Sequence, residues 1–225
     1  MDGSMERKTA HKTAGIATAG EGEGGMTRLP KLRLRGAWGR RLGVFCLGLS
    51  VLLLGGAGSY AGYTYLNDNF HVVKAGSLYR SAQPTPELLA EWKQRYGLTT
   101  IVNLRGANPG APWYEAEKAA AARLGLRLID YRISAKRVLS GEETSGLVSL
   151  LAGLDGPTLV HCMSGADRSG IASAYYLASV NKAGEEEAES QLSLWYGHVP
   201  LWFSPFYAMD ISFEAAEPGF GYLDS

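Results

Sequence analysis

"VHCMSGADRSG", residues 160–170, is the stretch on which the fold turns. With Thr158 and Leu159 before it, an apolar run ends at His161 and passes at once into a glycine-bearing turn. From Ser169 to Val180 the pattern predicts a helix. A strand that feeds a helix through a short loop is the repeating unit of an α/β layer fold, where ligands gather beyond the carboxyl ends of the strands.

The chain on either side keeps the same alternation. "FHVVKAG" (70–76) and "SLYRSA" (77–82) read as short strands, followed by a helix capped by Thr85, opened by Pro86 and closed at Gly97. "TTIVNL" (99–104) is β-branched and apolar, a buried strand, and "RGANPGAPW" is a loop. An Ala-rich helix follows from Trp113 to Leu124, then an alternating strand over "LRLIDYRI" (126–133). Ser140 and Glu143 form a capping box for a helix with Leu147, Leu150, Leu151 and Leu154 at helical spacing. Gly156–Pro157 breaks the chain before the central strand. Glu185–Trp195 reads as a last clear helix with Ala188, Leu192 and Trp195 inward, and the Pro-broken aromatic segment 196–210 as irregular packing over the core. The expectation is an α/β fold with a largely parallel central sheet flanked by helices.

The front of the chain differs in kind. Residues 1–66 carry nine Lys/Arg and four Asp/Glu, the remainder thirteen and eighteen, so a basic tail precedes an acidic body. That distribution gives the body no nucleic-acid footprint. Residues 1–41 read as a disordered basic tail, with Met26 an alternative start and six basic residues between Thr27 and Arg41. Residues 42–66 run uncharged for 25 positions, about 37 Å as a helix, which spans a bilayer. The positive-inside rule then keeps the N-terminus inside an inner membrane and exports a domain formed by 67–225. The alternative is a signal peptide cleaved near Ala57 or Ala61, with secretion of the domain.

Cysteine is scarce. Cys46 falls in the hydrophobic run, so the domain holds Cys162 alone and can form no internal disulfide. Cys162 sits where backbone N–H groups and a helix dipole converge, a field that suits a phosphate-sized anion and a thiolate alike. Arg168 can grip two oxygens of such an anion. A thiolate beneath a bound phosphate describes attack on phosphorus with a phosphocysteine intermediate. The loop Met163, Ser164, Gly165, Ala166, Asp167 and Arg168 would hold the anion.

These residues resemble the cysteine-dependent protein tyrosine phosphatases. The string H-C-x5-R-S-G is similar to their signature, and "GSLYRSAQP" (76–84) and "IVNLRG" (101–106) extend the likeness towards the dual-specificity branch, nearest to bacterial members related to atypical fungal and plant enzymes. The resemblance covers most of residues 70–200. It implies that His161 orients the loop and that Ser169 hydrogen-bonds the sulfur as the phosphocysteine breaks down. No cofactor is expected, and no metal site is visible in the sequence, because His11, His71, His161 and His198 show no ligand spacing.

The family's general acid is not where the pattern would have it. The segment "SAKRVLSG" after the strand at 126–133 contains no carboxylate. Asp130 stands at a family-like separation from Cys162, but inside the strand. Asp167 lies in the anion loop itself, as in myotubularin-like lipid phosphatases, whose C-x-x-G-x-D-R pattern the loop matches. Arg80 and Arg105 stand at strand ends, either at the rim of the site or in solvent. The functional expectation is a membrane-tethered phosphomonoesterase acting on a phosphorylated protein, lipid or small molecule. A catalytically silent phosphate-binding module and a rhodanese-like sulfurtransferase are the alternatives.

Overall fold

The computed structural model describes residues 37–66 and 68–222. The basic tail expected over 1–41 lies, up to residue 36, outside the described residues. Helix α1 (Ala37–Leu66) begins five positions before the uncharged run and so takes in Arg40 and Arg41. Among the described residues it is the one helix long and apolar enough to cross a membrane, over Trp38–Tyr60, with a mean hydropathy of 1.9. Contacts divide the chain into two units, residues 1–48 and 49–225, with the boundary inside this helix.

The rest is the α/β domain. Strands β1 (His71–Lys74), β2 (Leu78–Ser81), β3 (Thr100–Asn103), β4 (Arg127–Asp130) and β5 (Thr158–His161) form one sheet in the order β1-β2-β5-β3-β4. Only the β1–β2 pair is antiparallel, because a tight turn joins those two strands. The strands alternate their side chains between two cores. Leu78, Val102 and Val160 face helices α4 (Gly141–Ala152), α5 (Asp167–Ser179) and α7 (Ala208–Glu214). Tyr79, Ile101 and Leu159 face α2 (Pro86–Tyr96) and α3 (Pro112–Leu124). β5 is central and buried throughout, as a continuous apolar run in a parallel sheet requires.

Local signals act where they stand. Thr85 Oγ1 accepts from Leu88 N, Gly97 closes α2 in the left-handed conformation, and the Ser140–Glu143 capping box is complete. One element departs from expectation. Helix α6 (Glu185–Glu189) stops short of Trp195, and a 3-10 turn covers Leu194–Tyr196. Ala188 and Leu192 are buried as expected, whereas Trp195 is exposed. The cause is tertiary: the Gln191 carbonyl accepts a hydrogen bond from Arg80, and that segment packs against the face of α5 at Gly170. The segment after it is irregular only to Ser204. A 3-10 turn at Pro205–Tyr207 then leads into α7, and α8 (Glu217–Phe220) follows.

Candidate active site

The loop from Cys162 to Ala166 joins the end of β5 to the start of α5, at the carboxyl edge of the sheet. Cys162 is buried. The amide N–H groups of residues 163–168 have no acceptor among the described residues, and neither has the buried Nε of Arg168. Arg168 Nη1 reaches the Leu104 carbonyl at 3.4 Å. Unpaired donors gathered at the start of a helix beside a buried thiol suit a small anion chemically.

Gly165 allows this loop to close. Its φ is +75°, and an added Cβ would lie 2.6 Å from Ala82 N and 2.7 Å from Ser81 C. Neither backbone atom can yield without moving β2. Gly170 permits a second close approach: an added Cβ would lie 2.8 Å from Leu192 Cδ2 and 2.9 Å from the Gln191 carbonyl oxygen.

Arg80 corrects the sequence expectation. It lines no rim and meets no solvent: it is 0% exposed. Its Nη2 donates to the carbonyls of Gly165 (2.9 Å) and Ala166 (2.8 Å), its Nη1 to Gln191 O (2.8 Å) and Oε1 (3.1 Å), and its guanidinium lies 4.2 Å from the Tyr196 ring centre. These bonds hold the loop carbonyls towards β2, so the N–H groups on the opposite side of the same planar peptides are turned away from it. Burial lowers its pKa to about 10 even though neighbouring groups, Tyr196, Cys162 and Asp167 among them, oppose the shift.

Arg105 is half-buried at the mouth. It stacks 3.4 Å over the Trp113 ring and donates to Gln83 Oε1 at 2.8 Å. Burial and then the like charge of Arg168 lower its pKa. Gln83 Nε2 is buried with no acceptor, a further unpaired donor on this side.

His161 is fully buried beneath the loop, Nδ1 3.4 Å from the Cys162 carbonyl. Its Nε2 lies 2.7 Å from Glu117 Oε1, with both side chains out of solvent. Glu117 comes from α3 and escaped sequence reasoning, because a lone glutamate in an Ala-rich helix carries no signal. Ser169 Oγ donates to the Ser81 carbonyl at 3.3 Å.

The two candidate acids are held differently. Asp130 accepts from Tyr114 Oη at 2.6 Å and from Asn103 Nδ2 at 2.8 Å. It stands two strands across the sheet from His161, about 10 Å in strand spacing. Tyr114 is pushed up to about 12 by that hydrogen bond, with burial second. Asp167 Oδ1 lies 2.8 Å from His198 Nδ1, and His198 Nε2 lies 2.8 Å from Asp210 Oδ2. The imidazole is 0% exposed. Burial opposes its charge, but hydrogen bonds to Asp167 and Asp210 outweigh it and raise its pKa to about 9. An imidazolium thus ties the anion loop to α7.

Asn69 braces the loop's outer edge. Its Nδ2 donates to Ser164 O and Tyr196 O, both at 2.9 Å, and its Oδ1 therefore accepts from His71 Nε2 at 2.9 Å. Burial, then the charge of Arg80, lowers the pKa of His71 to about 4. Among the described residues no cluster of His, Cys, Asp or Glu could hold a metal ion.

The strand, the N–H-lined loop, the buried cysteine and the arginine six positions on define the class: the cysteine-dependent tyrosine and dual-specificity phosphatase superfamily. Residues 62–197 match the family described as a DSP-PTPase phosphatase fused to NAD+ kinase, and the chain belongs to that family. No curated protein matches the chain. Among solved structures it is similar to TpbA of P. aeruginosa, at 22% identity and a TM-score of 0.55 over 68% of this chain and 89% of that one. A variant of TpbA has been crystallised with phosphotyrosine. The core catalytic domain of the PP-IP phosphatase SIW14 from S. cerevisiae aligns at 15% identity and a TM-score of 0.50, over 69% of this chain and 94% of that one. At these identities the likenesses establish the fold.

Proposed function

We propose that the chain is a membrane-tethered phosphomonoesterase that works through a phosphocysteine. The observation that carries this reading is the set of unpaired donors, the N–H groups of residues 163–168 and Arg168 Nε, gathered around buried Cys162. Arg168 and the loop amides hold three phosphate oxygens, and the Cys162 thiolate attacks phosphorus. The ester P–O bond breaks, and the departing oxygen takes a proton from the Asp167 carboxyl. Water then attacks the phosphocysteine, its proton passes back to Asp167, the P–S bond breaks, and inorganic phosphate leaves. Asp167 Oδ1 is occupied by His198, which leaves Oδ2 as the oxygen that can meet the departing group. Ser169 Oγ turns to the sulfur as it becomes the leaving group, and His161 orients the loop from below.

The substrate is a phosphate monoester of the phosphotyrosine or dual-specificity type, or a lipid or small-molecule phosphate. The uncharged run 42–66 and its basic flank support a single-pass anchor with the N-terminus inside and the domain outside. A reporter fused after Leu66 tests that orientation: activity only as a cytoplasmic reporter overturns it.

The catalytic test is hydrolysis of an aryl phosphate by the full chain in detergent, beside Cys162→Ser, Asp167→Asn and Asp130→Asn. Turnover lost in Cys162→Ser supports the phosphocysteine route. A loss in Asp167→Asn that shrinks with better leaving groups assigns the acid to the loop; the same behaviour in Asp130→Asn moves it to β4. Vanadate binding without turnover by the wild-type chain makes the site a phosphate-binding module instead.

A further inference from the structure

From Gln191 to Met209 the chain contains no Asp, Glu, Lys or Arg. Within that stretch Trp195, Trp202 and Phe203 are 66%, 81% and 68% exposed, and Leu194, Val199 and Leu201 are exposed beside them. Met163, in the anion loop, is exposed as well. Scattered apolar residues on a surface need no explanation, but large side chains concentrated in one short segment do.

The surroundings of this segment point to one occupant. Tyr60, the last residue of the candidate membrane span, donates from Oη to the Trp195 carbonyl, and the two rings lie 6.2 Å apart. Asn69 binds the Tyr196 carbonyl and, with the same amide group, the Ser164 carbonyl of the anion loop. Only residues 67–70 separate α1 from β1, a link of at most about 18 Å. The end of the span, the aromatic segment and the mouth of the site are therefore neighbours. Trp and Phe with no exposed charge among them, His198 being buried, are the composition that settles at the headgroup level of a bilayer. A cation flanks them: Lys136 Nζ lies 5.6 Å from the Phe206 ring, suited to anionic headgroups, whereas the adjacent Arg137 is already paired with Glu143.

We propose that Leu194–Phe203, with Met163, is a membrane-contact surface that rests in the interface of the bilayer crossed by α1 and holds the mouth of the site at headgroup level. The proposal rests on the reading of α1 as an anchor. It concerns the surface and not the chemistry at Cys162.

The test uses the full chain in vesicles of zwitterionic lipid with a minor anionic component, some of it brominated high on the acyl chain. Quenching of tryptophan emission is compared between the wild type and the double variant Trp195→Phe, Trp202→Phe, which keeps the apolar character. The wild type should be quenched, and the double variant should lose about half or more of the quenchable intensity. Quenching that survives intact in the double variant leaves α1 in the membrane but overturns the contact surface. Tryptophans 195 and 202 shielded from both lipid bromine and aqueous iodide would indicate a second copy of the chain as the occupant, and would also overturn it. Absence of any quenching, with the chain failing to float with the vesicles, overturns the anchor and the surface with it.

Discussion

His198 Nδ1 and Asp167 Oδ1 are 2.8 Å apart, and the second ring nitrogen reaches Asp210 at the same distance. One buried imidazolium therefore joins the first residue of α5 to α7. Its pKa of about 9 stands above the ordinary value of 6.5. Below pH 6.5 the ring is protonated in folded and unfolded chains alike, and its full stabilisation is present. Between 6.5 and 9 only the folded chain keeps the proton, so stability falls as pH rises through that window. The contribution at stake is at most about 3 kcal/mol. We expect the Tm of the wild type to fall from pH 6.5 to 9, and that of His198→Gln to be lower at pH 6.5 and nearly flat. A wild-type Tm that rises over this range would contradict the assignment.

Gly165→Ala places a methyl group 2.6 Å from Ala82 N at a φ of +75°. Strain and clash together should cost about 2–4 kcal/mol and tilt the loop amides out of register. Thermal unfolding with and without vanadate separates the two effects: the variant should lose Tm and also lose the upward shift that vanadate gives the wild type.

Replacing Arg80 tests a residue that no substrate touches. Arg80→Met leaves the carbonyls of Gly165 and Gln191 without their Arg80 donor in a dry interior, while the Ala166 carbonyl keeps only Gly170 N. A loss of about 3 kcal/mol is expected. In protein that remains folded at low temperature, vanadate affinity should fall although Cys162 and Arg168 are untouched. Unchanged affinity would mean that the loop holds its shape without the brace.

Arg168→Lys keeps the charge and removes the planar fork. Aryl phosphate turnover should drop by about 10²–10³-fold with Tm little changed, since among the described residues the guanidinium makes one long hydrogen bond, at 3.4 Å, to the Leu104 carbonyl. Retained turnover would show that charge alone suffices.

The sheet was legible in the sequence because its signals are local. Apolar period, the Thr85 and Ser140 caps and the glycine stops each act within a few residues, and each lies where the chain makes that turn. The loop was legible for the same reason: Cys162, Gly165 and Arg168 sit within seven positions. What surrounds the loop was not. Arg80 braces it across 85 residues of chain, His198 meets Asp167 across 31, and Glu117 reaches His161 from a different helix. A strand-end arginine looks the same whether it faces water or a carbonyl. The reading of Glu185–Trp195 as one helix failed through this same kind of long-range contact: periodicity continued to Trp195, but Arg80 claims the Gln191 carbonyl.

The tie from Asp167 to His198 and Asp210 also bears on where the working unit ends. The family match stops at residue 197, one position short of the imidazole. A fragment cut at that border would keep every strand, the glycine loop, the cysteine and the arginine. It would lose the imidazole and carboxylate that secure Asp167, along with the α7 residues Met209 and Phe213 that seal one core. Homology sets one boundary for this domain and its hydrogen bonds set another, and any excision, fusion or domain swap should follow the second.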